Sequence, residues 1–123
     1  MELNILHIYP DCMSLYGEWA NVAVLTRMLE AMGAKVNVRR LLLDETPDFS
    51  DADFLYLGAG TERTQKAALT ALKDHVPALR EALDRGAVAL FTGNAMEILG
   101  KSVTDQQGKV WPGLGLAKFT TVE

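Results

Sequence analysis

Short apolar segments alternate along the chain with longer stretches in which apolar residues recur every three or four positions. Residues 3–9, 53–57 and 87–91 form nearly continuous apolar runs, which are typical of strands buried on both faces of a parallel sheet. Residues 34–43 begin with alternating apolar and polar side chains, and this alternation predicts another strand in the first half of the segment. Four strands are therefore predicted.

The helical patterns end at residues that stop helices. The first pattern starts at residue 21 and stops at Gly33, which suits the position after a helix. A second pattern covers residues 64–84, but Pro77 would break hydrogen bonds inside one long helix. We therefore expect two helices there, with Pro77 in the first turn of the second and Gly86 as its cap. The stripe of the first helix consists of Val22, Leu25, Leu29 and Met32.

The last third of the chain has weaker patterns. Residues 95–99 show a short helical pattern after the fourth predicted strand. Beyond Gly100 we expect hairpin and edge structure, with short β segments at 109–111 and 118–122. Strands that alternate with helices predict an α/β fold, here a three-layer flavodoxin-like sandwich with a mostly parallel sheet. We expect one domain over residues 1–123.

Three loops follow the predicted parallel strands, and they begin at Pro10, Gly58 and Thr92. Ligands of open α/β sheets bind at the carboxyl ends of the strands. We therefore expect the three loops to line one crevice.

Composition narrows the function classes. The net charge of -4 comes without a Lys/Arg run, so the sequence predicts no nucleic-acid partner. Its apolar runs are too short to cross a membrane, and its single cysteine, Cys12, cannot form an internal disulfide. We expect a cytoplasmic protein without a membrane anchor.

The glycine-rich turn at residues 58–60 has two interpretations. It begins like a dinucleotide fingerprint, but Arg63 stands where the third glycine belongs, and the chain has no Walker-type phosphate loop. The backbone N–H groups of Gly58, Ala59 and Gly60 could instead form half of an oxyanion hole. A tight turn without chemistry fits the same residues equally well. We expect no bound cofactor.

The titratable candidates are few. Asp11 follows the first strand as in a phosphoacceptor receiver, but Gly58 stands where the acidic residue after the third strand would be. His7 and His75 have no carboxylate two or three residues away to orient them as bases, so we interpret both as structural or surface residues. Cys12 lies in the loop after the first strand, where most free cysteines are small buried hydrophobes. No metal site is predicted.

Several segments together resemble a known family. His7-Ile8-Tyr9-Pro10-Asp11, followed by Leu15-Tyr16-Gly17-Glu18 and Asn21, is similar to the opening of class I glutamine amidotransferases of the cobyric acid synthase type. Within that family the likeness is greatest to the amidotransferase subunit of lipid II isoglutaminyl synthases. The other similar segments are the glycine-rich loop at residues 58–65, the strand at residues 86–90 and Leu114-Gly115-Leu116.

The resemblance implies a nucleophile elbow at the fourth strand, where the family reads Cys-Gly-Gly-aromatic-Gln-Leu-Leu-Gly. Counted back from Ile98-Leu99-Gly100, Gly93 stands at the nucleophile and Glu97 at the glutamine position. The resemblance also implies that Gly58, Ala59, Gly60, Asn94, Glu97 and Asp11 contact a glutamine-like ligand.

Glutaminase chemistry needs a thiolate, a histidine base and a carboxylate that orients it. Glycine supplies no nucleophile, and no His-x-Glu or His-x-Asp follows the fourth strand. We therefore expect a glutamine amidotransferase-like pseudoenzyme, truncated at its C-terminus, that serves a ligase or synthetase in peptidoglycan or cobalamin biosynthesis. A short sheet edge could also pair two copies into a homodimer.

Two alternatives remain open. In the first, a longer parent chain or a relocated nucleophile, Cys12 or Thr92, still delivers ammonia from glutamine. In the second, the chain is a flavodoxin-like module that binds a small ligand.

Overall fold

The computed structural model describes residues 1–17 and 19–123. Its centre is a parallel four-stranded sheet with the strand order β2-β1-β3-β4. The strands are β1 (Glu2–Ile8), β2 (Lys35–Leu41), β3 (Phe54–Leu57) and β4 (Val88–Phe91). The helices are α1 (Trp19–Ala31), α2 (Glu62–Lys73) and α3 (Val76–Asp84), followed by a 3₁₀ helix (Gly93–Leu99). The predicted α/β class with a mostly parallel sheet is confirmed.

Helices cover the two faces of the sheet unequally. On one face, Leu6, Leu55 and Leu57 pack with apolar residues of α2 and α3 in a large buried cluster. On the other face, the buried apolar cluster is small in the part of the chain that the structure describes: Val22 of α1 packs with Ile5 and Tyr56 of the sheet. A helix is about 10 Å wide and strands lie about 4.8 Å apart, so one helix covers about two strands.

The outer strands are consequently open on the α1 face. Val88 and Leu90 of β4 are 51% and 46% exposed, and Val38 of β2 is 44% exposed. The prediction that residues 87–91 form a strand buried on both faces is therefore wrong for one face. Met32, predicted to belong to the apolar stripe of α1, is 82% exposed. It lies one position beyond Ala31, the last residue of α1.

The predicted helix boundaries agree with the structure where proline and glycine set them. Pro77 stands in the first turn of α3, and α2 and α3 are separate helices, as predicted. Gly33 and Gly86 follow α1 and α3 with φ of 95° and 109°, values that suit glycine. The short helical pattern after β4 is present as a 3₁₀ helix.

The tail forms a second, three-stranded sheet of β5 (Ser102–Thr104), β6 (Val110–Pro112) and β7 (Thr120–Val122). Strand β5 is central: it pairs antiparallel with β6 and parallel with β7. The sequence predicted strands near β6 and β7 but missed β5. Only one of its three residues, Val103, is apolar and buried, so it carries almost no hydrophobic pattern.

In residues 1–17 and 19–123, no helix combines the length and the apolar character that crossing a bilayer requires. Over the same residues, His, Cys, Asp and Glu side chains form no group of three or more suited to hold a metal ion.

Candidate functional site

The structure brings the three predicted loops together at the carboxyl ends of β1, β3 and β4. Leu15 N donates to Ala59 O at 2.9 Å, which joins the first loop to the glycine-rich turn. A side chain at Gly60 would collide with Met13 Sδ and Thr64 Oγ1. The loops therefore pack directly against one another.

The turn after β4 has the backbone shape of a strand-to-helix elbow. Thr92 is extended and caps the 3₁₀ helix, and Gly93 follows with φ of 58°. This left-handed conformation costs an L side chain about 1–2 kcal/mol, and strained elbows of this kind present nucleophiles in hydrolases. The residue that occupies the elbow position here has no side chain to present.

The space beside Gly93 is also filled. A Cβ atom built on Gly93 would lie 2.7 Å from Ala59 Cβ and 3.7 Å from Ala59 Cα. Carbon atoms in van der Waals contact lie about 3.5–4.0 Å apart. A cysteine at position 93 would therefore require the elbow or the glycine-rich turn to move.

Asn94 connects the elbow to the glycine-rich turn through two hydrogen bonds. Its Oδ1 accepts a hydrogen bond from Gly60 N at 3.0 Å, and its Nδ2 donates to Gly60 O at 2.7 Å. An oxyanion hole needs backbone N–H groups that point at the reacting oxygen. In this conformation the N–H of Gly60 is already bonded to Asn94.

Beneath the elbow, the predicted residue Glu97 belongs to a polar cluster with Gln65, Lys66 and Glu123, which the sequence did not predict as site residues. Gln65, which is fully buried, donates from Nε2 to Asn94 O at 2.8 Å and to Glu97 Oε2 at 3.4 Å. Lys66 Nζ donates to Gln65 Oε1 at 2.6 Å and forms an ion pair of 3.3 Å with Glu123. The sequence signal for these residues was present: Gln65 and Lys66 are polar residues beside the apolar stripe of α2.

Glu97, one of the predicted ligand-contacting residues, has a carboxyl group with a raised pKa. Burial raises the pKa of its carboxyl group, and the nearby negative charge of Glu123 raises this pKa further. The hydrogen bond from Gln65 acts in the opposite direction. The partly buried carboxyl group of Glu97 therefore interacts with both Gln65 and Glu123.

Cys12 lies beside the glycine-rich turn but is not activated. Burial raises the pKa of its thiol to about 11, and the charge of Asp11 contributes to the increase. At pH 7 roughly one thiol in ten thousand is then ionised, whereas reactive cysteines have lowered pKa values. Asp11 itself points toward the residues after β2, where its Oδ2 accepts from Leu43 N at 3.3 Å.

Two of the other candidates, His7 and Thr92, contact Tyr56 on the α1 side of the sheet. His7 is buried and packs edge-on against Tyr56, with ring centroids 5.3 Å apart. Thr92 Oγ1 is 3.3 Å from Tyr56 Oη, which accepts from Asn21 Nδ2 at 2.9 Å. His75 precedes α3. Glu18, part of the opening motif, lies outside the described residues.

Comparisons with a family model and with curated proteins both find similarity to glutamine amidotransferase-type proteins. The family model for CobB/CobQ-like glutamine amidotransferase domains matches residues 4–123. A lipid II isoglutaminyl synthase (glutamine-hydrolyzing) subunit GatD of Staphylococcus aureus is 30% identical over 120 residues, which cover 98% of this chain and 49% of that protein. The subunit of the same name in Streptococcus pneumoniae is 29% identical over 125 residues, covering 98% and 46%. The chain spans about half the length of these curated relatives.

Proposed function

Because this chain belongs to the family of CobB/CobQ-like glutamine amidotransferase domains, we propose that it is a family member in which the elbow after β4 has a structural and not a catalytic role. We call the contacts among Ala59, Gly60, Gly93 and Asn94 the joint. The domain binds and positions other components of an amidating assembly and does not hydrolyse glutamine itself. This proposal also covers four of the predicted site residues. Ala59, Gly60 and Asn94 make the contacts at the elbow, and Glu97 belongs to the cluster beneath it.

The observation that carries the proposal is the occupation of the elbow. Gly93 keeps the left-handed backbone of the turn, Ala59 Cβ fills the space beside it, and Asn94 bonds both the N–H and the C=O of Gly60. These contacts link β3 to β4 at the point where a glutaminase would bind the reacting amide. They support a role in stability and positioning.

We propose that the partner is a ligase that amidates a peptidoglycan precursor. The relatives that support this assignment are named as subunits of enzymes acting on lipid II, and they match nearly the whole chain. A ligase in cobalamin biosynthesis is the alternative, since the family description includes CobB and CobQ.

An ammonia assay tests the absence of glutaminase chemistry. The purified chain is incubated with glutamine, alone and together with its cognate ligase, and ammonia and glutamate are quantified. We expect both at the level of the buffer control, while the staphylococcal lipid II isoglutaminyl synthase measured in parallel provides the positive signal. Production of glutamate above the buffer control, proportional to protein concentration, would overturn the proposal.

A further inference from the structure

A cavity lined by apolar, aromatic and charged side chains lies where α1 leaves β2 uncovered. Its volume is about 370 Å³, and it lies between α1 and the edge strand β2, away from the elbow. Val22, Ala23 and Val38 give it an apolar lining, and His7 lies on the strand beside β2. A cavity of this size falls in the lower part of the range for small-molecule sites, about 300–1,000 Å³.

Two arginines line this cavity from opposite sides. Arg27 belongs to α1 and Arg40 to β2. Within residues 1–17 and 19–123, neither guanidinium forms an ion pair, although Glu30 lines the same cavity. By contrast, Arg39, the neighbour of Arg40 in β2, is paired with Asp51 at 2.9 Å. Among the described residues, two guanidinium groups therefore line a single cavity without a carboxylate at ion-pair distance.

An aromatic side chain completes the lining. Trp19, at the start of α1, lines the cavity and is 65% exposed. An exposed indole offers a flat apolar surface for stacking. Guanidinium groups offer planar arrays of donors that match the oxygens of carboxylates and phosphates.

We propose that this cavity binds a small ligand that carries a carboxylate or phosphate group on a flat apolar body. Arg27 and Arg40 bind the anionic oxygens, while Trp19 and Val38 contact the flat body. The site is separate from the elbow, and it does not depend on whether the domain hydrolyses glutamine.

NMR titration of the ¹⁵N-labelled chain with 1-naphthyl phosphate tests the proposal. We expect saturable shifts that concentrate on the Trp19 indole N–H and on the backbone amides of Ala23, Val38 and Arg40. Uncharged 1-naphthol should bind at least about tenfold more weakly, because it cannot form charge-assisted hydrogen bonds with the guanidinium groups. A parallel titration with 1-naphthoate identifies whether the site prefers carboxylate or phosphate. Shifts scattered over the surface, or equal affinity for 1-naphthol, would overturn the proposal.

Charge-removing variants locate the anion. Arg40→Gln should weaken binding of 1-naphthyl phosphate by about tenfold or more, while the amide spectrum remains that of the folded chain. The control is Arg80→Gln, an exposed arginine of α3 on the opposite face of the sheet, and it should leave the affinity within about twofold. Unchanged affinity in Arg40→Gln, or an equal loss in Arg80→Gln, contradicts the assignment.

Discussion

Two turns at the same end of the sheet each have one of the two features of a catalytic nucleophile, the strained backbone or the reactive type of side chain. The turn after β4 has the left-handed backbone of an elbow at Gly93 but no side chain. The turn after β1 carries the thiol of Cys12, but burial raises its pKa to about 11. Both turns pack against residues 58–60. The difference shows that an elbow-like backbone and a cysteine side chain occur here in separate turns, and that a thiol near the glycine-rich turn is not ionised at neutral pH when burial raises its pKa.

The largest effect is expected from placing a side chain on the elbow. Gly93→Cys adds a Cβ that would meet Ala59 Cβ at 2.7 Å and forces a left-handed φ of 58° on a residue with a side chain. The two costs together should lower the free energy of unfolding by about 2–4 kcal/mol. Urea denaturation followed by circular dichroism measures this loss.

A double-mutant cycle identifies the collision as its cause. Ala59→Gly removes the methyl group that faces position 93, so the pair of substitutions should lose about 1–2 kcal/mol less than the sum of the two single variants. If the two effects simply add, Ala59 is not what closes the elbow, and the steric part of the account is wrong.

A smaller loss is expected when the joint is loosened. Asn94→Ala removes both hydrogen bonds to Gly60 and leaves its backbone groups without these partners, which should cost about 1–3 kcal/mol. The matched control is Asn37→Ala, an exposed amide that bonds to Glu2 and Asn4. That variant should change stability by no more than about 0.5 kcal/mol. Equal effects of the two substitutions would show that Asn94 does not join the loops.

The thiol of Cys12 provides a kinetic test of the other turn. With its pKa at about 11, Cys12 should react with a chromogenic disulfide at pH 7 at least roughly tenfold more slowly than free N-acetylcysteine, because only the thiolate attacks. The rate should rise steadily as the pH increases from 7 to 9. Reaction as fast as the free thiol would mean that this turn activates its cysteine.

The smallest effect concerns the carboxyl group beneath the elbow. The pKa of Glu97 is raised above its ordinary value of 4.5, so the folded chain binds this proton more tightly than the unfolded chain does. The resulting stability is fully present below the unfolded pKa and is lost as the pH rises through the folded pKa.

Glu97→Gln should therefore stabilise the chain at pH 7 by on the order of 0.5 kcal/mol or less, since much of the group is in contact with solvent. Thermal unfolding at pH 4 and pH 7 measures the difference between the variant and the parent chain. We expect the difference to shrink toward zero at pH 4. A gain that is larger at pH 4 than at pH 7 would contradict the direction of the pKa shift.

The sequence predicted correctly the elements that are determined by residues within their own segment, such as a proline or a continuous apolar run. Pro77 separates α2 from α3, and the buried strands β1 and β3 have continuous apolar runs. Strand β5 was missed because its pairing with β6 and β7, rather than its own side chains, makes it a strand. The exposure of Val88 and Leu90 was missed because an apolar run does not reveal how many helices cover a sheet.

The candidate site was predictable only in part. Parallel strands with short loops indicate that residues following β1, β3 and β4 meet. That Gly93 stands at the nucleophile position is a prediction from the family resemblance. The contact between position 93 and Ala59, and the reciprocal bonds between Asn94 and Gly60, depend on how two loops approach in space. No pattern along the chain encodes that distance.

The most direct test of the account is labelling by a glutamine-analogue electrophile, 6-diazo-5-oxo-L-norleucine, followed by intact mass spectrometry and peptide mapping. Because the elbow carries no nucleophile and the thiol of Cys12 is protonated at neutral pH, we predict that the mass of the chain does not change during prolonged incubation at pH 7. A stoichiometric adduct on Cys12 or Thr92 would contradict the account, since it would show that a nucleophile still attacks a glutamine-like substrate at this end of the sheet.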